Sequence, residues 1–329
     1  MFVCKAYTVS MKTVGVLMGG PSSEHDISLM SGRNVIKALH GRYHVHPVYV
    51  THTGEWLAGE KQEWLTPAEA LRGADVVFNA MHGEYGEDGK VQGILDSIRI
   101  PYVGSGVFGS ALAMHKDRSG QVLKKAGLHL PRSFVVKKDN INESEVVKKA
   151  VDFSAPPWVI KPLRRGSSVG VSMVHTFEGL LSAFKRAFQY DDHAMLQKYV
   201  KGRELTCGVL ENFGGEKYFA LPPVEIIPPE NRFFDYQTKY DGSTKEICPA
   251  DFYGDMLRHI RETAVKAHKA LHLQHYSRVD MILDGTKLYV LEVNSSPGFT
   301  SESLYPKAAK AAGLEFQQLL DHLIRLAVT

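Results

Sequence analysis

The segment Arg278-Val-Asp-Met-Ile-Leu-Asp-Gly-Thr-Lys-Leu-Tyr-Val-Leu-Glu-Val-Asn294 constrains this chain more than any other. Both halves alternate apolar and polar residues as strands do, and Asp284-Gly285 is a strong turn signal between them. A two-residue turn would put Asp280 and Glu292 on opposite faces of the hairpin. A three-residue loop of Asp284, Gly285 and Thr286 instead pairs Val279 with Leu291 and Met281 with Tyr289. It leaves Arg278, Asp280, Glu292 and Asn294 together on the other face, and this register is the one expected. Oxygen ligands beside an arginine suit a hard cation such as Mg²⁺ held together with substrate phosphates. The same pattern also suits an amphipathic edge hairpin with solvated charges.

At 329 residues the chain can bury substantial cores and is long enough for two or three domains. Its formal net charge is +3, with Lys and Arg interleaved with acids, which gives no case for a nucleic-acid partner. Any basic pocket is therefore local, as an anionic small molecule needs. Cys4, Cys207 and Cys248 share no metal-type spacing and cannot complete a disulfide framework, so a reducing cytoplasm is the expected compartment. No apolar run approaches the roughly 18 residues of a membrane helix, and residues 1–10 lack a signal peptide's apolar region. No membrane association is expected. Met11-Lys12-Thr13 directly precedes the first strand, so the first ten residues read as a dispensable extension.

Over the first hundred residues, strands at 13–18, 46–51 and 75–81 alternate with helices. The first helix carries an apolar stripe of Ile27, Met30, Val35, Ala38 and Leu39; a second covers 90–98. Short strands alternating with helices argue for a parallel sheet covered on both faces. Ligands gather beyond the carboxyl ends of such strands, where the Gly19-Gly20 and His82-Gly83 loops lie. In the middle, a helix at 116–126 ends at Gly127, a candidate left-handed cap, and a strand follows at 133–136. Strands at 157–162 and 171–174 flank Gly166-Ser167-Ser168-Val169-Gly170, and a helix covers 176–188. The last third has strands at 194–200 and 204–209 and a long polar segment, 228–249, that reads as a lid. An amphipathic helix at 252–272, the hairpin, and two closing helices at 303–312 and 315–326 complete the chain.

Lys161 ends an apolar strand just before the glycine–serine loop, and Lys116 begins a helix. Loop amides and a lysine both stabilise phosphate oxygens, although an ordinary hairpin loop with a solvated lysine fits the same residues. The order strand–loop–strand and the missing Gly-Lys-Ser/Thr exclude a Walker A loop. Gly19-Gly20-Pro21-Ser22-Ser23-Glu24 lacks Gly-x-Gly-x-x-Gly, which weakens a nicotinamide reading, and no Gly-x-Ser-x-Gly elbow marks a serine hydrolase. Glu24 either holds an ammonium group or favours the dipole of the helix it opens. His82 is flanked by glycines that let backbone approach a ligand, or is simply a loop histidine. Asn294-Ser295-Ser296-Pro297-Gly298-Phe299-Thr300 can aim backbone N–H groups at developing oxyanion charge, or merely joins strand to helix.

Together these motifs resemble the D-alanine–D-alanine ligase family of the ATP-grasp superfamily, from Val14 to Ala311. The matching residues are Gly19-Gly20-x-Ser22-x-Glu24 with Ser28-Leu29, and His82-Gly83-x-x-Gly86-Glu87-Asp88-Gly89. Gly104-Ser105-Gly106, Lys116-Asp117-Arg118, Lys161-Pro162 and Gly166 to Gly170 follow in family order. Phe234-Asp235-Tyr236-x-x-Lys239-Tyr240, the Arg278–Asn294 hairpin, Pro297-Gly298-Phe-Thr300 and Ser303-Leu304 complete the set.

The resemblance implies an α/β chain of ATP-grasp fold. A Rossmann-like substrate domain at 1–104 would be followed by two α+β subdomains, 105–192 and 193–329, that clasp ATP. It implies ligation of two D-alanine molecules through a D-alanyl phosphate, releasing ADP and phosphate for peptidoglycan precursors. Carried onto this chain, Lys116 and Lys161 would contact the ATP phosphates, Ser167 and Ser168 would sit in the loop covering them, and Lys239 would also bind ATP. Asp280, Glu292 and Asn294 would hold two Mg²⁺ or Mn²⁺ ions. Gln197, Lys198 and Val200 would meet adenine and Glu204 the ribose, with Gln197 standing where family members often carry glutamate. Glu24 and His82 would hold the first D-alanine; Ser167 and Tyr240 would link with Glu24 to lock the lid. Arg278 and the Gly298 amide would form the oxyanion site, and Ser303 and Leu304 would bind the second carboxylate. Intact Lys239-Tyr240 favours an amine nucleophile over a hydroxyl one. A homodimer is also implied. Alternatives are a sister ligase with another second substrate, or a nucleotide sensor without catalysis.

Overall fold

A computed structural model describes residues 11–59, 63–140, 142–229, 244–300 and 303–329. The first sheet contains β1 (Thr13–Gly19), β2 (His44–Val50), β3 (Trp56–Ala58), β4 (Glu63–Leu65), β5 (Val76–Asn79) and β6 (Tyr102–Val103), in the order β4-β3-β2-β1-β5-β6. Its centre is parallel, as expected: β1 lies between β2 and β5, and Val14 and Val16 are wholly buried there. The strands β3 and β4 extend one edge antiparallel. With three residues each, they are too short to carry a readable period.

The first helix, His25–Leu39, departs from the expected apolar stripe. Met30 is half exposed, and the buried face is His25, Ser28, Ser31, Gly32, Val35 and Leu39. Its first turns bury hydroxyls because they supply the loop after β5 with hydrogen bonds. Gly32 fits because a Cβ there would lie 2.5 Å from the Met18 Cβ.

The second sheet, β7 (Ser133–Lys137), β8 (Trp158–Pro162), β9 (Ser172–Val174) and β10 (His193–Lys198), runs β7-β10-β8-β9. The helices Glu143–Phe153 and Leu180–Ala187 pack on its Trp158, Ile160 and Leu196. The third sheet has β11 (Arg203–Phe213), β13 (Val224–Ile227), β14 (Lys245–Ile247), β15 (Tyr276–Asp284) and β16 (Lys287–Asn294), in the order β14-β13-β11-β15-β16. The strand β12 (Glu216–Ala220) pairs with β11 off this path. Part of the segment expected to be a lid, 228–249, is therefore sheet edge. Residues 230–243, with Lys239 and Tyr240, lie outside the described residues.

Two connections tie the sheets together. Ala113 and Leu123, on the helices Val107–Met114 and Lys116–Lys125, join the core of the third sheet with Leu205 and Val279, although sequence grouped them with the middle segment. Gly127, at φ 76°, ends the second of these helices as expected. Phe299 and the closing helices Leu304–Ala311 and Phe316–Val328 pack back onto Val14 and Phe78 of the first sheet. The Phe78 and Phe299 rings meet edge-on at 5.1 Å. Leu210 of β11 and Tyr276 of β15 join the same core, which packs the third sheet against the first.

Candidate active site

The hairpin β15–β16 does not close with the expected three-residue loop. Asp284 faces Lys287 across a two-residue turn of Gly285 and Thr286. Continued unbroken, that register would turn Glu292 away from Asp280. A shift at Asp280/Met281 instead leaves Leu291 as an extra residue, after which Asp280 faces Glu292 and Arg278 faces Asn294. The β-bulge restores what the shorter turn would have lost, and the four expected side chains share one face.

Asp280 is held from three directions. Arg278 donates to it through Nε and Nη2, each at 2.9 Å, the Asn294 amide donates at 3.0 Å, and Thr206 Oγ1 at 2.6 Å. Thr206 was not singled out in the sequence. Its signal lay in spacing: it follows Glu204 by two on β11 and pairs directly with Asp280. Lys116 Nζ lies 3.5 Å from Glu292 Oε2. Among the described residues no group of three or more His, Cys, Asp or Glu is assembled as a metal cage. Asp280, Glu292 and Asn294 form a smaller set of two carboxylates and an amide oxygen. That set fits a hard cation whose remaining ligands are phosphate oxygens.

Glu292 lines two adjoining clefts. The first, about 120 Å³, is also lined by Glu24, His82, Ser167, Arg278, Asn294, Gly298, Ser303 and Leu304. Ser167 Oγ donates to Glu24 Oε1 across 143 residues of sequence. Gly83 and Gly166 both crowd the other carboxylate oxygen, since a Cβ on either would lie 2.9 Å from it. Ser167 and Ser168 hold φ of 46° and 59°, a conformation costly for residues with a side chain and concentrated at functional sites.

His82 is buried at the centre of a network. Its Nε2 lies 2.8 Å from Ser31 Oγ, its Nδ1 3.2 Å from Glu87 Oε1, and its N–H donates to Ser28 Oγ at 2.9 Å. Ser22 Oγ donates to its carbonyl oxygen at 2.6 Å. Burial works against the imidazolium. The hydrogen bond and charge of Glu87, with Glu24 and the Ser296 backbone, outweigh burial and raise the His82 pKa. Burial raises the Glu87 pKa in turn, against the pull of His82. Ser22, Ser28, Ser31 and Glu87 had no assigned roles from sequence, because hydroxyls buried on a helix face have no periodic signature.

Gly298 abuts Ser303, where a Cβ would come within 2.8 Å of the hydroxyl oxygen. Ser303 precedes the helix Leu304–Ala311, and its Oγ accepts from the Thr300 N–H at 3.0 Å. The start of that helix, at Ser303 and Leu304, borders the cleft, and a helix N-terminus is a setting suited to a carboxylate.

The second cleft, about 90 Å³, is lined by Lys116, Lys161, Ser168, Gln197, Lys198, Val200, Glu204 and Asp280. The expected phosphate, adenine and ribose positions among the described residues therefore converge; Lys239 lies outside those residues. Lys161 and Gln197 are buried there among Val159, Val171, Ile282 and Leu291. The Lys198 N–H donates to the Arg132 carbonyl oxygen at 2.8 Å, which leaves its carbonyl as the group to offer a base.

Residues 13–105 match the family model described as D-ala D-ala ligase N-terminus, and residues 122–325 match D-ala D-ala ligase C-terminus. A D-alanine–D-alanine ligase of Syntrophobacter fumaroxidans is 42% identical over 319 residues, covering 96% of this chain and 97% of that protein. One of Geobacter sulfurreducens is 39% identical, covering 94% and 92%. The solved VanG D-Ala:D-Ser ligase of Enterococcus faecalis superimposes with a TM-score of 0.84 at 33% identity, covering 97% of this chain and 100% of that one. The Coxiella burnetii D-alanine–D-alanine ligase gives 0.83 at 30% identity, covering 97% and 94%. The ATP-grasp architecture expected from the motifs is the one these structures share. With both family models matched in order and relatives aligned nearly end to end, the chain belongs to the D-alanine–D-alanine ligase family.

Proposed function

We propose that the protein joins two D-alanine molecules at the expense of ATP, supplying D-alanyl-D-alanine for peptidoglycan. The observation that carries this reading is the shared wall at Glu292, with a cleft lined by Lys116 and Lys161 on one side and a cleft lined by Glu24, Arg278 and Ser303 on the other.

ATP fits the second cleft, its base against Gln197, the Lys198 carbonyl and Val200, its ribose at Glu204, and its phosphates at Lys116, Lys161 and Ser168. Two divalent ions, Mg²⁺ or Mn²⁺, held by Asp280, Glu292 and Asn294 would neutralise and orient the phosphates there. Glu24 takes the ammonium of the first D-alanine, placed by Ser167 and His82. Its carboxylate oxygen attacks the γ-phosphorus, an O–P bond forms, and ADP leaves. The amine of the second D-alanine, its carboxylate at Ser303 and the helix start, then attacks the acyl carbon. A C–N bond forms as phosphate departs and the amine releases a proton. Arg278 and the Gly298 N–H face the oxygen that gains charge, worth several kcal/mol in preorganised sites of this kind (about 3 to 4). Lys239 and Tyr240 would close the lid, because an acyl phosphate reached by water hydrolyses.

Boundaries near 104 and 192, a cytoplasmic location and a homodimeric state belong to the same reading. Among the described residues no helix is long and apolar enough to cross a membrane. The VanG likeness makes D-serine the competing second substrate. The deciding assay supplies ATP, Mg²⁺ and D-alanine alone, then D-alanine with D-serine, and identifies the product. No dipeptide from D-alanine alone would overturn the proposal.

A further inference from the structure

We propose that Arg165 and Glu84 form a latch that seats the glycine–serine loop over the first amino-acid subsite; this rests on the ligase reading above. Glu84 lies in the loop after β5, two residues beyond His82. Arg165 lies in the loop after β8, two residues before Ser167. An ion pair joins Arg165 Nη1 to Glu84 Oε1, so the substrate loop of the first sheet is bound to the nucleotide loop of the second. The two side chains are 32% and 23% exposed, which leaves the pair open to screening by salt.

Arg165 is tied at two further points. Its Nε donates to the Tyr190 carbonyl oxygen at 2.7 Å, fixing the guanidinium against the second sheet's own loop. Its carbonyl oxygen accepts from Lys116 Nζ, the same ammonium that lies 3.5 Å from Glu292. One residue later Gly166 presses on Glu24, and Ser167 donates to it from a left-handed backbone. Such backbone persists only where its surroundings over-determine it, and the Arg165 contacts are part of those surroundings. Glu84 and Arg165 act through Ser167 and Glu24 and are positioning residues. With the pair intact, the ammonium subsite and the phosphate loop are held in one geometry. With it broken, the loop opens more often, and water attacks the acyl phosphate in place of the amine, giving carboxylate and phosphate but no dipeptide.

Arg165 also lines the nucleotide cleft, whereas Glu84 does not, so Glu84 is the cleaner probe. In E84Q the KM for D-alanine should rise about fivefold, the scale of a partly exposed ion pair. Phosphate released per dipeptide should rise as well, with KM for ATP nearly unchanged. In a cycle with R165Q, E84Q should add nothing further, and the charge swap E84R/R165E should recover part of the loss. Wild-type KM for D-alanine should climb with salt, and that of E84Q should not. Wild-type behaviour of E84Q, or losses that simply add in the double variant, would overturn the latch. Hydrogen exchange separates this from the function itself: E84Q should speed exchange of the amides from Gly166 to Val171. If wild type makes no dipeptide, the ligase reading fails, while unchanged exchange in E84Q sinks the latch alone.

Discussion

On the substrate side, Glu24, His82 and Ser31 are buried, Ser31 is bonded to His82 and Glu24 accepts from Ser167. On the nucleotide side, Lys161 and Gln197 are also buried, but their cleft adds an apolar wall of Val159, Val171, Ile282 and Leu291 to its charged residues. The contrast follows from the ligands proposed for each. A small zwitterion offers little surface, so its orientation must come from charges already fixed in place. A nucleotide brings a flat base and its own charges, so an apolar slot with one or two polar markers suffices. Glu292 belongs to both sides, and it is where the contrast can be broken most sharply.

Glu292→Ala should remove the proposed metal donor and the partner of Lys116 at once, lowering turnover at least about 100-fold with the fold retained by circular dichroism. A near-normal rate would show that the clefts do not share this group. Thr206→Val leaves both clefts lined as before but withdraws the hydrogen bond to Asp280, and should cost about tenfold in kcat. If its effect equals that of Glu292→Ala, the hairpin depends on β11 more than on its own bulge.

Glu87→Gln tests the substrate side alone, with about a fivefold rise in KM for D-alanine and little change for ATP. It also carries a pH signature. The His82 pKa is raised in the folded protein, so its contribution to stability is fully present below roughly pH 6.5 and is lost as pH rises through the raised value. The raised Glu87 value has the same sign. The thermal midpoint of wild type should therefore fall as pH rises across that window. In Glu87→Gln the fall should shrink, because burial of His82 then meets less opposition; an unchanged profile would remove Glu87 as the cause. The smallest change is expected from Gln197→Glu, roughly a twofold to fivefold gain in ATP affinity with none for D-alanine. A shift in D-alanine KM would mean the two sides are less separate than their linings suggest.

Much of this site was legible in the chain. Asp280 and Glu292 stand in a hairpin whose two-residue period becomes a face, Lys161 was marked by its place at a strand end, and Glu204 came only from the family resemblance. Gly83 was readable as a place of close approach, though not that it and Gly166 both approach Glu24. The buried face of the first helix was misread at Met30, because a hydropathy stripe cannot anticipate serines buried to serve a histidine. The turn was misread too: the face was right and its cause was wrong, since one extra loop residue and one bulged residue shift a register alike.

The sequence by itself determined the parallel centre of the first sheet, the hairpin face and the chemistry of its side chains, because those follow from local period and residue type. Only the tertiary structure decided that Thr206 would steady Asp280, that Ser31 would meet His82 and that Arg165 would meet Glu84. Such contacts join residues far apart in the chain. Their geometry is set by how separate sheets pack, which no local pattern encodes.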